Sequence, residues 1–272
     1  MVGAIALVVL LIIGYVVAGA ISAAAASGKA HTALNATIKH QDTVSTVLSE
    51  DPFKGIDLKS ANPDMTAIKA ALAKFDVRMV QAQDLVKADR AALADVRPAL
   101  HGSALTLPFQ GILSGDAKRV DAANSALATA TRAISYNKQQ SQFLHPFFDS
   151  IAGFVALGNL NQNADVATVI SQVNATESSL HQATALAKPP AVPTQIKPLL
   201  DGMQKVITDL KGLLAAAQAH DQAGVAKWTA AGDADSAALS NSDSAALDNA
   251  DKALFAPLND AYNRDMKTAA GG

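Results

Sequence analysis

The chain has 272 residues, of which 50% are hydrophobic and only 4% aromatic, and its formal net charge is -2. A chain of this length can bury a sizeable core, here built mainly from Ala, Leu, Val and Ile. The near-neutral charge gives no basic footprint, so we expect no nucleic-acid partner. The absence of cysteine excludes disulfides, thiolate metal sites and thiol nucleophiles.

The first predicted element is an apolar run from Val2 to Ala26, with no charged residue before Lys29. At about 1.5 Å per residue, a helix of this length crosses the roughly 30 Å hydrocarbon core of a bilayer. The apolar stretch is longer than the core of a signal peptide, so residues 1–28 are predicted to be a retained transmembrane anchor. A cleaved secretory signal is the alternative, because the alanines at 23–26 offer small-residue cleavage sites.

The flanks of this run give opposing indications of orientation. Lys29 and Lys39 follow it, and the positive-inside rule alone places the rest of the chain in the cytoplasm. The alanine-rich end and the export-like layout favour the opposite side. We therefore expect a single-pass protein of the cell membrane whose bulk is extracytoplasmic.

Small residues also recur every four positions on one face of the run. This spacing is typical of membrane helices that pack closely, although an alanine-rich segment produces it by chance as well. The predicted membrane-helix packing residues are Gly14, Ala18, Ser22 and Ala26.

A helical stalk is predicted to continue from the anchor to about Glu50, and a loop follows it. Asn62 is predicted to cap the next helix, with Pro63 at its first position. Apolar residues recur along that helix at spacings that alternate between three and four, which is typical of a coiled-coil-like seam. The apolar seam residues are Met65, Ile68, Leu72, Phe75, Met79, Ala82, Val86, Leu93, Val96 and Leu100. Asp89 interrupts the seam, so it either meets a basic or amide partner or marks a wet site.

A second long helix is predicted to begin near Ser114 or Asp116 and to run towards Leu157. Its matching stripe includes Leu113, Ala117, Val120, Ala123, Leu127, Ala130, Ile134, Asn137, Ser141, Leu144, Phe148, Ile151 and Val155. We expect the two helices to form an antiparallel hairpin about residue 106. This register places Asp89 level with residues 119–124.

Shorter helices are predicted in the remainder of the chain. Asn163 is a candidate cap for the first, and the proline-rich segment 188–193 is predicted to be a stiff extended connector. A helix with heptad spacing follows, and Asp221 is expected to cap a further helix that runs to about Leu247. Pro257 is predicted to kink or restart the last helix.

These patterns predict an all-α protein: an N-terminal transmembrane helix continuing into a stalk, then long antiparallel helices in an elongated bundle. The predicted domains are the anchor at 1–28, the stalk with the long hairpin at 29–160, and a shorter helical bundle at 161–272.

Half of the eight phenylalanines lie near the end of the second long helix. One interpretation is an aromatic core for an otherwise alanine-packed bundle. The other is a pocket or partner surface, opened by a kink at Pro146. The predicted ligand or partner contacts are Phe143, Phe147, Phe148 and Phe154.

The sequence carries no motif that indicates catalysis. The six histidines form no metal-binding pattern, and the two glutamates are too few for a carboxylate-bridged di-iron bundle. Glu177 and His181 are four residues apart, which favours a surface pair. We predict no catalytic residue, no metal and no cofactor, and therefore a protein that is not an enzyme.

The predicted function is a membrane-anchored, non-enzymatic interaction or scaffold protein. Its predicted partners are the lipid bilayer, through residues 2–26, and a protein partner or a second copy, through its helix faces. The alternative is an extracytoplasmic ligand-sensing or ligand-binding helical domain.

Overall fold

The computed structural model describes residues 2–57, 63–102, 106–160, 165–240 and 244–272, with the backbone alone for residues 2–13, 240 and 244. These residues form seven α-helices and no strand, which confirms the predicted all-α class. The helices are α1 (Val2–Ser49), α2 (Met65–Leu100), α3 (Gln110–Gly158), α4 (Val166–Leu186), α5 (Lys197–Gln218), α6 (Gln222–Ser240) and α7 (Ser244–Ala270). Short 3-10 turns lie at Leu107–Phe109 and Thr194–Ile196.

The chain divides into two compact units. Unit 1 contains residues 1–50, 78–134 and 255–272, and unit 2 contains residues 51–77 and 135–254. Helices α2, α3 and α7 therefore contribute residues to both units. This grouping differs from the predicted ranges 1–28, 29–160 and 161–272, which stay a prediction.

The predicted seams of the two long helices are confirmed. In α2, every seam position from Ile68 to Leu100 is buried, including Asp89. In α3, every predicted position from Leu113 to Ser141 is buried. The spacing of three and four residues places these side chains on one face, and removal of that face from water stabilises helices that are weakly stable alone.

Polar contacts fix α2 and α3 as antiparallel partners. In unit 1 Arg97 Nε donates to Asp121 Oδ1 over 2.8 Å, and in unit 2 Lys69 Nζ lies 2.6 Å from Asp149 Oδ1. These pairs centre the turn close to Phe109, not residue 106. Asp89 is therefore not level with residues 119–124, and that prediction was wrong.

The start of α3 also differs from the prediction. The 3-10 turn at Leu107–Phe109 leads directly into a helix that begins at Gln110, earlier than the predicted Ser114 or Asp116. Pro108 has a backbone already suited to the first turn of a helix, which explains why the helix begins before Gly111 and Gly115.

Unit 1 is a four-helix bundle built from parts of α1, α2, α3 and α7. Its largest fully buried side chains include at least one from each helix: Leu34, Val44, Leu93, Leu113, Leu127, Tyr262 and Met266. Hydrogen bonds join α3 to α7, where Arg119 Nε donates to the Ala269 carbonyl over 2.8 Å and Ser125 Oγ donates to Asp265 over 2.6 Å. Leu107–Phe109 packs against α1.

Helix α1 confirms the predicted continuity between the apolar run and the stalk, because it is unbroken from Val2 to Ser49. Over the residues with described side chains, no helix has an apolar stretch long enough to cross a membrane. Residues 2–13 of the predicted anchor lie outside those residues.

Several predicted helix ends differ from the structure. Asn62 and Asn163 lie outside the described residues. Helix α2 begins at Met65, where Asp64 Oδ1 accepts the Ala67 N–H over 2.9 Å, so Pro63 is not its first residue. Helix α6 is described as far as Ser240, and residues 241–243, on the way to the predicted end at about Leu247, lie outside the described residues.

The two predictions about prolines have different outcomes. Pro257 lies inside α7, so the helix does not restart there, and the alternative of a kink stays a prediction. Segment 188–193 is a hydrogen-bonded turn rather than an extended connector, because Val192 N–H donates to the Lys188 carbonyl over 3.1 Å. Ala191 and Val192 are buried, and this burial accounts for the compact path.

Unit 2 places the antiparallel hairpin of α5 and α6 beside α4. Asp221 caps α6 as predicted, since its Oδ1 accepts the Gly224 N–H over 3.0 Å. His220 ends the preceding helix with φ of 55°, a left-handed conformation that reverses the chain. The short connection makes α5 and α6 neighbours along most of their length.

Candidate functional site

The predicted Asp89 partner is a histidine of a third helix. In unit 1, His40 Nδ1 on α1 lies 3.0 Å from Asp89 Oδ1 and 3.1 Å from Oδ2. Asp89 is only 3% exposed, and its burial raises the pKa of the carboxyl even though His40 acts in the opposite direction. The interpretation of a basic partner was therefore correct, while the proposed partners at 119–124 were not.

Tyr262 of α7 lies in the same part of unit 1. Its side chain is fully buried, and burial together with the charges of Asp89 and Asp42 raises the pKa of the phenol. The tyrosine thus stays neutral beside the His40–Asp89 pair. Such an arrangement stabilises helix packing and presents no accessible nucleophile.

The predicted contact residues Phe143, Phe147 and Phe148 lie in the hydrophobic core of unit 2, and Phe154 packs against that core while partly buried. The rings of Phe143 and Phe147 are stacked with centroids 5.3 Å apart. The edge of Phe53 meets Phe148 at 5.2 Å. This geometry corresponds to the core interpretation, and ligand contact at these residues stays a prediction.

The predicted membrane-helix stripe has a mixed environment. Gly14, Ala18 and Ser22 are exposed, whereas Ala26 is buried within unit 1. Close association through this stripe stays a prediction.

A groove of about 180 Å³ lies between α5 and α6 in unit 2. Glycines bring these helices close together: a Cβ atom at Gly202 would lie 2.6 Å from Leu239, and one at Gly212 would overlap the indole of Trp228. The large Trp228 ring therefore rests directly on the α5 backbone. The groove lies beside this ring, which forms part of its lining.

The groove combines apolar walls with acidic and small residues. Its apolar lining is Val206, Leu210, Leu213 and Trp228, and its polar lining includes Asp209, Thr229, Asp233 and Ser236. Gly232 lies opposite Asp209, where a Cβ atom would be 3.8 Å from the Asp209 Cβ. The site can thus accept an apolar group of small size beside a carboxyl.

Asp209 is the unusual member of this lining. It is 7% exposed, and its Oδ2 is buried with no hydrogen-bond partner. Burial raises the pKa of this carboxyl, the charge and hydrogen bond of Asp235 raise it further, and Lys205 acts in the opposite direction. A buried polar atom without a partner costs about 1–3 kcal/mol, so this oxygen requires an explanation.

Glu177 forms an ion pair with Lys211 of α5, and the hydrogen bond from Lys211 is the main cause that lowers the pKa of Glu177. The predicted neighbour His181 contributes in the same direction through its charge, as a smaller cause. Across the described ranges, no group of three or more His, Cys, Asp or Glu residues is placed to hold a metal ion.

Sequence reasoning missed the groove, although two signals for it were present. Asp209 lies on the same predicted face as Val206 and Leu210, so it is an acid within an apolar stripe, as Asp89 is. Trp228 is the sole tryptophan in the chain. Whether Asp209 and Trp228 meet at one groove depends on the register of α5 against α6. The turn at 219–221 sets this register.

Comparison with known proteins gives no relative. No protein-family model matches the chain, and no curated protein or solved structure is significantly similar to it.

Proposed function

We propose that this protein is a membrane-anchored, non-enzymatic helical protein that serves as an interaction or scaffold module outside the cytoplasm. The observation that supports the proposal is the continuity of α1, which runs from the apolar N-terminal segment into the core of unit 1 without a break. An anchor of this kind is part of the folded unit, with no flexible linker between them.

Helix α1 exposes large apolar side chains in its N-terminal part and buries residues further along, as expected for an anchor that continues into a folded unit. From Ala23 onwards, α1 buries residues mostly three or four positions apart, with one longer interval between Thr37 and Val44. Before that point Tyr15, Val16, Val17 and Ile21 are exposed large apolar side chains on the same helix. Burial of one such side chain contributes about 1.5–3 kcal/mol, so a bilayer around this segment would supply several kcal/mol.

Membrane extraction tests the anchor. We expect the full chain to sediment with membranes through high-salt and alkaline washes and to be released by detergent. Arginines in place of Leu11 and Ile13 should release it into the soluble fraction, because each charge at the bilayer centre costs about 2.5–3.5 kcal/mol.

A matched control is Ile112→Arg, since Ile112 is 68% exposed and lies on α3. This variant should still require detergent. Release of the parent chain by salt or alkali alone would contradict the anchor.

The absence of native cysteine allows a direct test of orientation. Ser178 is exposed on α4, so Ser178→Cys introduces a single accessible thiol. An impermeant maleimide should label this variant in intact cells. Labelling that requires permeabilised cells would place the bulk of the chain in the cytoplasm.

Self-association is tested with the same chemistry. Ala18→Cys lies on the small-residue stripe, whereas Val17→Cys is displaced from it by one position. Disulfide cross-linking in membranes should join two copies through Ala18→Cys more readily than through Val17→Cys. Equal cross-linking of both variants would show that the two copies do not meet specifically through the small-residue stripe.

The groove in unit 2 favours the second candidate function, a ligand-binding helical domain. Its support is the apolar lining beside an unpartnered carboxyl oxygen. This candidate is compatible with the anchor, because the two depend on different residues.

A further inference from the structure

We propose that the groove between α5 and α6 binds a small organic cation, with an ammonium group at Asp209 and an apolar body against Trp228 and Leu210. This inference rests on the ligand-binding candidate and does not depend on the membrane anchor. Three properties of the groove support it: its size, its charge and the unsatisfied oxygen of Asp209.

The volume of the groove suits a small ligand. Its volume is about 180 Å³. An apolar cavity of about 150 Å³ accepts one benzene molecule. A single ring or a short aliphatic chain with one ammonium group therefore fits, whereas drug-sized ligands occupy pockets of about 300–1,000 Å³.

The charge around the groove favours a cation. Asp209 and Asp233 line it, and Asp235 lies beside Asp209. Positive groups nearby include Lys205, which interacts with Asp209, and Lys227, whose Nζ lies 4.7 Å from the centre of a Trp228 ring. The two acidic residues of the lining favour a cation in the groove, and the indole ring already stabilises one positive charge through its π face.

The unpartnered oxygen identifies where the ammonium group binds. Asp209 Oδ2 is buried without a hydrogen-bond partner in a side chain that lines the groove. The terminal torsion of an Asp side chain is broad, and the proposal requires a rotation about it that turns this oxygen towards the ligand. An ammonium group supplies three donors and a charge, which satisfy the carboxylate and offset its repulsion by Asp235.

The sole tryptophan of the chain makes the test specific to this site. The full chain in a neutral detergent is titrated with benzylammonium while Trp228 fluorescence is recorded. We expect a saturable change with a dissociation constant on the order of 1 mM or tighter. Benzyl alcohol, which has the same shape without the charge, should bind about tenfold more weakly or worse.

Two variants remove the site in different ways. Asp209→Asn should weaken benzylammonium binding about tenfold or more and leave benzyl alcohol binding nearly unchanged. Gly232→Leu should abolish binding of both compounds, because its side chain extends into the groove opposite Asp209.

Asp201→Asn is the matched control, since Asp201 is an exposed acid on the same helix that pairs with Lys197. It should bind benzylammonium as the parent does. Circular dichroism of each variant establishes that the helices are intact.

Three results would overturn the proposal: no saturable change, equal binding of benzylammonium and benzyl alcohol, or unchanged affinity in Asp209→Asn. None of them affects the membrane-extraction result, so failure of the ligand site and failure of the anchor are distinguishable.

Discussion

The phenylalanine cluster and the groove between α5 and α6 are two apolar regions of unit 2 that differ in how far protein atoms fill them. Phe143, Phe147 and Phe148 are buried and contact other aromatic rings. In the groove, by contrast, Trp228 and Leu210 are only partly covered, and a polar oxygen lacks a partner. A concentration of aromatic residues therefore indicates a core, whereas incomplete packing beside an unsatisfied group indicates a site.

The largest expected effect separates the two regions by stability. Phe147→Ala and Phe148→Ala should each lower the free energy of unfolding by about 3–5 kcal/mol, because each leaves a cavity in a packed core. Chemical denaturation of the two variants beside the parent measures this loss. Their affinity for benzylammonium should remain that of the parent under conditions where they are folded.

Val80→Ala provides the control, since Val80 is an exposed apolar residue of α2. Its free energy of unfolding should change by about 0.5 kcal/mol or less. If both phenylalanine variants lost little free energy of unfolding but bound benzylammonium more weakly, the binding site would lie at the phenylalanine cluster.

A smaller change in the free energy of unfolding is expected when Asp209 in the groove is compared with Asp89, a buried acid that has a partner. Asp89→Asn should lower the free energy of unfolding by about 1–2 kcal/mol, because it removes the charge-assisted contact with His40. Asp209→Asn should change it by about 0.5 kcal/mol or increase it, since Asp209 Oδ2 has no partner to lose, the amide can keep the hydrogen bond to Asp235, and the repulsion between the two carboxyls is relieved. Equal losses in both variants would show that Asp209 has a stabilising partner.

The smallest expected effect is on the pH dependence of stability. The pKa of Asp209 is raised from 3.8, so just above that value the folded state binds more protons than the unfolded state. Stability therefore falls as the pH rises through this window. When the pH is raised from about 4 to about 7, Asp209→Asn should lose less free energy of unfolding than the parent.

Urea denaturation at the two pH values measures this difference. Asp89, whose pKa is also raised, is present in both proteins and cancels in the comparison. A steeper loss of stability in the variant than in the parent would contradict the raised pKa of Asp209.

The seams of α2 and α3 were predictable because apolar positions repeat along each helix at regular spacing. The ends of the helices were less predictable, because local contacts decide them. Asp64 rather than Asn62 or Pro63 begins α2, and the turn containing Pro108 begins α3 early. The register of the hairpin, centred close to Phe109, depends on contacts such as Arg97–Asp121 that the apolar spacing does not specify.

Contacts between helices distant in the sequence were beyond prediction from one chain. The seam identified Asp89 as an exception, but its partner His40 lies on α1, which the sequence did not place beside α2. Similarly, the sequence of α5 includes Asp209. Whether Asp209 lines a groove depends on the contact between Gly212 of α5 and Trp228 of α6. The periodicity of apolar residues identifies the buried face of a helix but does not determine which helix packs against that face.

The most direct test of the difference between the two regions is NMR mapping of benzylammonium on the isotope-labelled full chain. We predict that the largest chemical-shift changes occur at the Trp228 indole and at the backbone amides of Asp209 and Gly232, with no comparable change between Phe143 and Phe154. Shift changes centred on the phenylalanine residues, or none in the groove at saturating benzylammonium, would contradict the assignment of the groove as the binding site.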